Sequence, residues 1–353
     1  MNYIFLFISL VLLSSCGGAN ENIALDDDPT NTQNEEWLIP LSQIKDGGPG
    51  KDGIPSIDHP DYINLEEVNF LEEEDLVIGI IKNGQAFAYP HLVLDWHEIV
   101  NDGLFSDNPV TISYCPLTGT AFGWEGYANG SITTFGVSGL LYNANLILYD
   151  RNTDSYWSQL RLECINGELI NETPSLVNIV ETNWSTWKLM YPNSKVLSLE
   201  NDLFRDYGTY PYGDYKTDHN YFIFPINPLN TTLPSKQRVF AIIDNGDAKV
   251  YKFEDFEGGK TIIDSFNGKQ YLIIGNKNII NAFELTSEQS QITYEYDFNG
   301  SEVFFKDSEG NSWSIFGKNL IDEQAAKLTS TTSVNSYWFA IAAFYPNPII
   351  YQP

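Results

Sequence analysis

Two segments of this chain share one hairpin pattern, and this internal repeat limits the possible folds more than any other feature. Residues 76–89 read LVIGIIKNGQAFAY, and residues 238–251 read RVFAIIDNGDAKVY. In each segment an Asn-Gly pair separates two runs of strand-forming residues, and both residues of the pair tolerate the positive φ angles of a type I′ turn. Each segment is therefore predicted to form a β-hairpin.

Two further pairs of segments match, in the same order along the chain. Residues 148–158 (LYDRNTDSYWS) resemble residues 304–314 (FFKDSEGNSWS), and residues 183–193 (NWSTWKLMYPN) resemble residues 337–347 (YWFAIAAFYPN). The apolar spacing in the last pair is typical of a short helix. We predict an α+β, mostly antiparallel β fold made of two tandem copies of a β-rich unit, each ending in a short helix.

Composition divides the chain into five segments. Residues 1–16 form an N-terminal signal, and residues 17–50 are rich in Asn, Asp, Glu, Thr and Gly, which predicts a flexible tether. Residues 51–199 hold the first repeat and residues 238–353 hold the second. Residues 200–237 are rich in Tyr, Asp, Asn and Pro without a clear period, which predicts an extended connector packed by its aromatic side chains.

The N-terminus, MNYIFLFISLVLLSSC, is typical of a bacterial lipoprotein signal. Its apolar run, residues 4–13, is shorter than the roughly 20 residues of a transmembrane helix and fits a signal peptide, although no Lys or Arg precedes it. Small residues before Cys16 and two glycines after it predict cleavage and lipidation at Cys16. We expect a lipid-anchored protein of the cell envelope, at the outer membrane. An ordinary secretory signal is the alternative.

The chain is strongly acidic. It has 47 Asp and Glu residues against 19 Lys and Arg residues, which gives a formal net charge of −28. Such a charge repels nucleic acids and anionic lipid headgroups at long range. Binding to nucleic acid is therefore not expected, and the acidity is interpreted as an aid to solubility.

The two copies differ in the residues that can carry chemistry. The second copy contains neither Cys nor His, although its hairpins, Trp residues and terminal helix recur. Residues that are lost from one copy while its scaffold is kept are not needed by the scaffold. Any chemistry is therefore expected in the first copy, near its junction with the connector.

Cys115 and His97 are the main candidates in the first copy. His97 lies in a predicted helix, and Cys115 ends a predicted strand just before a Pro-containing turn. A thiol nucleophile needs a base or a lowered pKa, and His97 and His91 are the nearest bases in the sequence. The alternative for Cys115 is a small buried residue, or one half of a disulfide with Cys164.

A metal site is a further interpretation of the same region. A thiolate together with imidazoles suits copper or zinc, but such a site needs three or four ligands. The candidate metal ligands are Cys115, His97, Asp58 and His59. They are distant in the sequence, so only folding could bring them together.

Several motifs resemble a family of bacterial exported proteins known as domain of unknown function 3179. The motifs are GIPSIDHP (53–60), AYPHLVLDWHEIVND (88–102), SYCPLTGTAFGW (113–124), FGVSGLLYNANLILYDRNTDSYWSQ (135–159) and LPSKQRVFAI (233–242). The resemblance covers about residues 50 to 350 and implies no established reaction. Many similar proteins carry a second cysteine in this turn, as CPLC, where this chain has Thr118. That departure weakens a dithiol or two-thiolate interpretation.

Three functional hypotheses remain open. The first is an envelope lipoprotein that handles a metal or a redox reaction through Cys115 and His97. The second is a thiol-dependent enzyme that uses the same pair. The third is a non-catalytic module that binds a ligand, such as a saccharide or a protein, between the repeats. We expect a free Cys115 thiol near His97, with Asp58 close by, in a cleft that the connector partly closes.

Overall fold

The computed structural model describes residues 36–103, 108–200, 203, 205–322, 324 and 327–353. The predicted signal, with Cys16, and most of the predicted tether lie outside the described residues. Within the described part of the chain, no helix is both long and apolar enough to cross a membrane.

The fold is α+β and consists mostly of antiparallel β-sheets, as the sequence predicts. The described residues contain three α-helices, α1 (His91–His97), α2 (Trp184–Met190) and α3 (Trp338–Phe344). Helix α2 begins after Asn183, whose side chain accepts a hydrogen bond from the Thr186 amide, as expected of an N-cap. The described 3₁₀ helices are Leu41–Gln43, Leu65–Glu67, Gly213–Lys216, Phe253–Phe256 and Gln289–Gln291.

The strands fall on the two sides of the connector. Before it lie β1 (Ile44–Asp46), β2 (Tyr62–Asn64), β3 (Leu76–Lys82), β4 (Gln85–Pro90), β5 (Ile99–Asp102), β6 (Val110–Cys115), β7 (Thr120–Glu125), β8 (Tyr127–Ala128), β9 (Ser131–Ile132), β10 (Phe135–Tyr142), β11 (Asn145–Asp150), β12 (Tyr156–Ser158), β13 (Glu163–Asn166), β14 (Leu176–Val177), β15 (Val180–Asn183) and β16 (Lys195–Leu197). After it lie β17 (Arg238–Asp244), β18 (Asp247–Lys252), β19 (Lys260–Phe266), β20 (Lys269–Asn276), β21 (Ile279–Leu285), β22 (Tyr294–Tyr296), β23 (Phe305–Asp307), β24 (Ser312–Trp313), β25 (Thr329–Ser330), β26 (Ser333–Tyr337) and β27 (Ile349–Ile350).

Both predicted hairpins form. Strands β3 and β4 pair around Asn83-Gly84, and β17 and β18 pair around Asn245-Gly246. All four turn residues have positive φ, which only Gly and a few polar residues tolerate. The surrounding sheets have the orders β15-β3-β4-β16-β2 and β26-β17-β18-β27. In each, the hairpin has an antiparallel neighbour on one side and a parallel neighbour on the other.

A second pair of sheets has matching strand orders in residues 51–199, here called the first half, and residues 238–353, the second half. The order β14-β7-β6-β5 in the first half is matched by β25-β21-β20-β19 in the second.

The predicted Trp hairpins share one contact. The Trp157 indole donates to Asp150 at 3.0 Å, and the Trp313 indole donates to Asp307 at 2.9 Å. In both hairpins a buried carboxylate holds the indole of the following strand.

The two halves pack against each other extensively. Strand β15 of the first half lies beside β21 of the second, and β26 of the second lies beside β7 of the first. Tyr337 donates its amide proton to the Thr118 carbonyl at 2.8 Å, and the Tyr345 hydroxyl donates to the Leu160 carbonyl at 2.6 Å. The largest hydrophobic core contains side chains of both halves.

The predicted tether is too long at its C-terminal end. Strand β1 pairs with β10, the Leu38 amide donates to the Ile165 carbonyl at 2.9 Å, and Ile39 is buried against Ile147 and Ile165. Composition averaged over residues 17–50 concealed this short apolar stretch. Residues 36–50 therefore belong to the folded part of the chain.

One buried lysine holds part of the connector. The Lys236 ammonium group donates to the carbonyl groups of Tyr215, Asp218 and Tyr221. It also lies 3.3 Å from the centroid of the Tyr215 ring, close enough for a cation–π interaction. The 3₁₀ helix Gly213–Lys216 contacts α1 through the ion pair of Lys216 with Asp95.

Candidate functional site

Cys115 is buried and free. Its thiol donates to the Ala144 carbonyl at 3.5 Å, and Cys164 is also free and buried, so the predicted alternative of a disulfide between them is wrong. Burial raises the pKa of the Cys115 thiol to about 11. Because the thiolate is the nucleophile, a thiol with this pKa is unreactive near neutral pH.

His97 has other partners than Cys115. Its Nδ1 lies 2.8 Å from the Pro55 carbonyl oxygen, and its Nε2 lies 2.7 Å from the Tyr207 hydroxyl. Burial lowers the pKa of this imidazole. The expected thiol–imidazole pair is not formed in this structure, because both ring nitrogens are already bonded.

Asp58 belongs to an ion-pair cluster at the surface. Arg151 contacts both of its oxygens at 3.1 Å, and Asn101 donates to it at 2.6 Å. His59 follows it in the same exposed loop. Among the residues that the structure describes, no three His, Cys, Asp or Glu side chains are grouped so that they could hold a metal ion. The expected ligands Cys115, His97, Asp58 and His59 are therefore not brought together.

The turn after Cys115 is part of a buried hydrogen-bond network. The Asn145 amide group donates to Thr118 at 2.9 Å, to Thr120 at 3.0 Å and to Gln159 at 2.8 Å. Gln159 donates in turn to Ser113 at 3.0 Å. Thr118 thus has a structural role here.

A second group of polar residues lies where α1, the connector and the second half meet. We call it the junction cluster. It consists of His91, Asp95, Glu98, Glu181, Tyr210, Tyr212, Tyr215, Lys216 and Arg238. His91 and Asp95 are four positions apart, so α1 presents both on one face.

Charges within the junction cluster are balanced. Lys216 lies 2.8 Å from Asp95, and its ammonium group lies 4.0 Å from the centroid of the Tyr210 ring. Arg238 pairs with Glu181, whose other oxygen lies 3.3 Å from His91 Nε2. Burial holds the pKa of His91 well below its ordinary value, so this imidazole is neutral. The carboxylates of Asp95 and Glu181 are thus paired with the cations of Lys216 and Arg238.

Glu98 adds a strained and buried carboxyl group. It follows the last residue of α1 with φ 57° and ψ −30°, a conformation that is unfavourable for a residue with a side chain. The Tyr212 hydroxyl donates to it at 3.3 Å. Burial, the largest cause, raises the pKa of Glu98 to about 8; Tyr212 opposes this and Asp95 adds to it. The carboxyl is therefore mostly protonated at neutral pH.

Several buried atoms of the junction cluster have no hydrogen-bond partner among the described residues. They are Asp95 Oδ1 and the hydroxyl groups of Tyr210 and Tyr215. Buried polar groups in native proteins nearly always have partners, and exceptions often mark a water or ligand position. The Lys216 side chain is 34% exposed, so the cluster reaches the surface at that residue.

Comparison with known proteins places the chain in a family. It matches the family described as "Protein of unknown function (DUF3179)" over residues 51–348. The chain belongs to this family. No curated protein and no solved structure matches it.

In this DUF3179 protein, sequence patterns indicated the junction cluster only in part. The α1 segment concentrates His91, Asp95 and Glu98, and the connector is rich in Tyr. Sequence reasoning favoured Cys115 and His97 instead, because thiols and imidazoles are commonly reactive. The pairing of α1 with the connector depends on contacts such as Lys216 with Asp95, which are 121 positions apart.

Proposed function

We propose that this protein is a lipid-anchored envelope protein that binds a small, neutral, polyhydroxylated molecule at the junction cluster without chemical change. The unpartnered buried atoms of Asp95, Tyr210 and Tyr215 carry this proposal. A bound molecule would supply the hydrogen bonds that these atoms lack.

The character of these atoms favours a neutral polyol such as a sugar. The free oxygen of Asp95 accepts hydrogen bonds, whereas the hydroxyl groups of Tyr210 and Tyr215 both donate and accept. A sugar hydroxyl can satisfy either kind of group. Because the carboxylates and cations of the cluster already compensate each other, a charged ligand would leave an uncompensated charge in a buried place.

Metal-dependent and thiol-dependent activity have less support. The Cys115 thiol is buried with a raised pKa, and His97 is bonded to Pro55 and Tyr207. Cys115 lies close enough to Tyr212 and Tyr215 to influence their pKa values. Its suggested role is to fill space behind the junction cluster.

The two halves are proposed to be copies of one unit, of which only the first keeps a binding site. Their sheets have matching strand orders, and β15 and β26 make reciprocal contacts with β21 and β7, as a pseudo-two-fold arrangement requires. The alignment that places Asn83 on Asn245 places His91 on Phe253. The second half has no imidazole at this position, so its proposed role is structural.

The binding proposal predicts that Tyr215→Phe weakens sugar binding without destabilising the free protein. The Tyr215 hydroxyl has no partner, so its removal breaks no hydrogen bond in the unliganded state. Losing one hydrogen bond to a ligand weakens binding by about tenfold, which corresponds to roughly 1.4 kcal/mol. Isothermal titration with glucose, galactose, N-acetylglucosamine and glycerol measures the effect.

Tyr251→Phe is the matched control. Tyr251 donates to Asp264 at 3.0 Å in the second half, so its loss should cost about 1 kcal/mol of stability and leave binding unchanged. The proposal fails if none of the four compounds binds. It also fails if the Tyr215 variant binds as tightly as the wild type.

Anchoring at Cys16 is proposed from the sequence and predicts that Cys16→Ser moves the protein from the membrane fraction to the soluble fraction. Without the thiol no lipid can be attached, and the signal would not be processed as a lipoprotein signal. Fractionation and labelling with a radioactive fatty acid test this. A variant that remains membrane-bound and labelled would show that the anchor lies elsewhere.

A further inference from the structure

The first half has a pocket that is separate from the junction cluster. It has a volume of about 260 Å³ and lies between the end of β3 and the strands β6 and β7. Its lining includes Ile80, Lys82, Val110, Glu125, Tyr127 and Val177. This volume is close to the lower end of the range for small-molecule pockets, roughly 300 Å³.

The positive charge in the pocket is already compensated. Lys82 lies 3.2 Å from one Asp102 oxygen, and the Tyr89 hydroxyl donates to the other at 2.6 Å. Glu125, by contrast, is exposed and forms no ion pair with any residue that the structure describes. The pocket therefore presents one uncompensated negative charge.

Glu125 lies on a different strand from Asp102, the partner of Lys82. Val110 pairs with Asp102 on one side and with Glu125 on the other. The strands of Asp102 and Glu125 are thus separated by two inter-strand spacings, about 10 Å. The Lys82 ammonium is therefore paired with Asp102 and not with Glu125.

We propose that this pocket binds a small organic cation. Its ammonium group would lie against the Glu125 carboxylate and the exposed ring of Tyr127, because an aromatic face attracts a cation. Its apolar part would cover Ile80, Val110 and Val177. The net charge of −28 attracts cations to the protein as a whole. This site is independent of the sugar site proposed above.

Calorimetric titration of the full mature protein with phenethylammonium chloride and with choline chloride tests the proposal. We expect saturable binding that is weakened by added salt and reduced about tenfold by Glu125→Gln, since that change removes the one uncompensated charge among the described residues that line the pocket. Glu257→Gln removes an exposed carboxylate of the second half and should leave binding unchanged. Phenylacetate, which has the same ring but the opposite charge, should not bind.

The absence of saturable binding by either cation would overturn the proposal. Equal affinity of the wild type and the Glu125 variant, or equal binding of phenylacetate, would do the same. Sugar binding at the junction cluster should persist in the Glu125→Gln variant, so failure of one site can be distinguished from failure of the other.

Discussion

Glu98 is expected to lower the free energy of unfolding of the wild type by about 5 kcal/mol, relative to Glu98→Gln, as the pH rises from about 4.5 to about 8. Below this range the carboxyl is protonated in both the folded and the unfolded chain. Within it the unfolded chain ionises, while burial keeps Glu98 protonated in the folded protein. The contribution of Glu98 to the free energy of unfolding therefore decreases progressively as the pH rises towards 8.

Urea denaturation of the wild type and of Glu98→Gln, at pH 5 and at pH 8, measures this effect. Gln has nearly the shape of a protonated Glu and cannot ionise, so the variant lacks the Glu98 contribution. It keeps the contributions of His91, His97 and Asp95, whose pKa values burial also shifts. The matched control, Glu257→Gln, changes an exposed carboxylate and should keep the wild-type dependence. An unchanged pH dependence in the Glu98 variant would mean that its carboxyl ionises freely in the folded protein.

Asn145→Ala is expected to destabilise the protein by about 3 to 5 kcal/mol, since each buried polar group left without a partner costs about 1–3 kcal/mol. The Asn145 amide donates to Thr118, Thr120 and Gln159, and its carbonyl oxygen accepts from the Leu160 amide at 2.9 Å. All of these groups are buried. Ala would leave several of them unpartnered at once.

Equilibrium urea unfolding checks this expectation, with Asn152→Ala as its control. The Asn152 side chain also donates a hydrogen bond, to the Ile132 carbonyl at 2.9 Å, but it is exposed. Water can replace that bond, so the control should lose less than about 1 kcal/mol. If the Asn145 variant is as stable as the control variant, the network contributes little to stability.

Local patterns predicted the fold because the chemistry of turns and caps acts over a few residues. The Asn-Gly pairs at 83–84 and 245–246 favour positive φ whatever surrounds them, and both formed hairpins. The N-cap at Asn183 likewise depends only on the next three residues. These features can be inferred from a single sequence.

The candidate site could not be predicted in the same way, since its contacts join distant parts of the chain. His97 is bonded to Pro55 and to Tyr207, which are 42 and 110 positions away. No local pattern indicates that these partners occupy the imidazole. The raised pKa of Glu98 also arises only on folding, because the burial of its carboxyl group depends on the connector covering α1.

The reciprocal packing of the halves determines how the protein can be divided. Helix α3 lies in the same hydrophobic core as Cys115, Leu160 and Trp157, and Tyr345 is hydrogen-bonded to the Leu160 carbonyl. A fragment that ended before the connector would expose this apolar face to water. Neither half is therefore an autonomous folding unit, and melting should proceed as one cooperative transition. The second half, which has neither Cys nor His, completes the hydrophobic core of the first half and contributes Arg238 to the junction cluster.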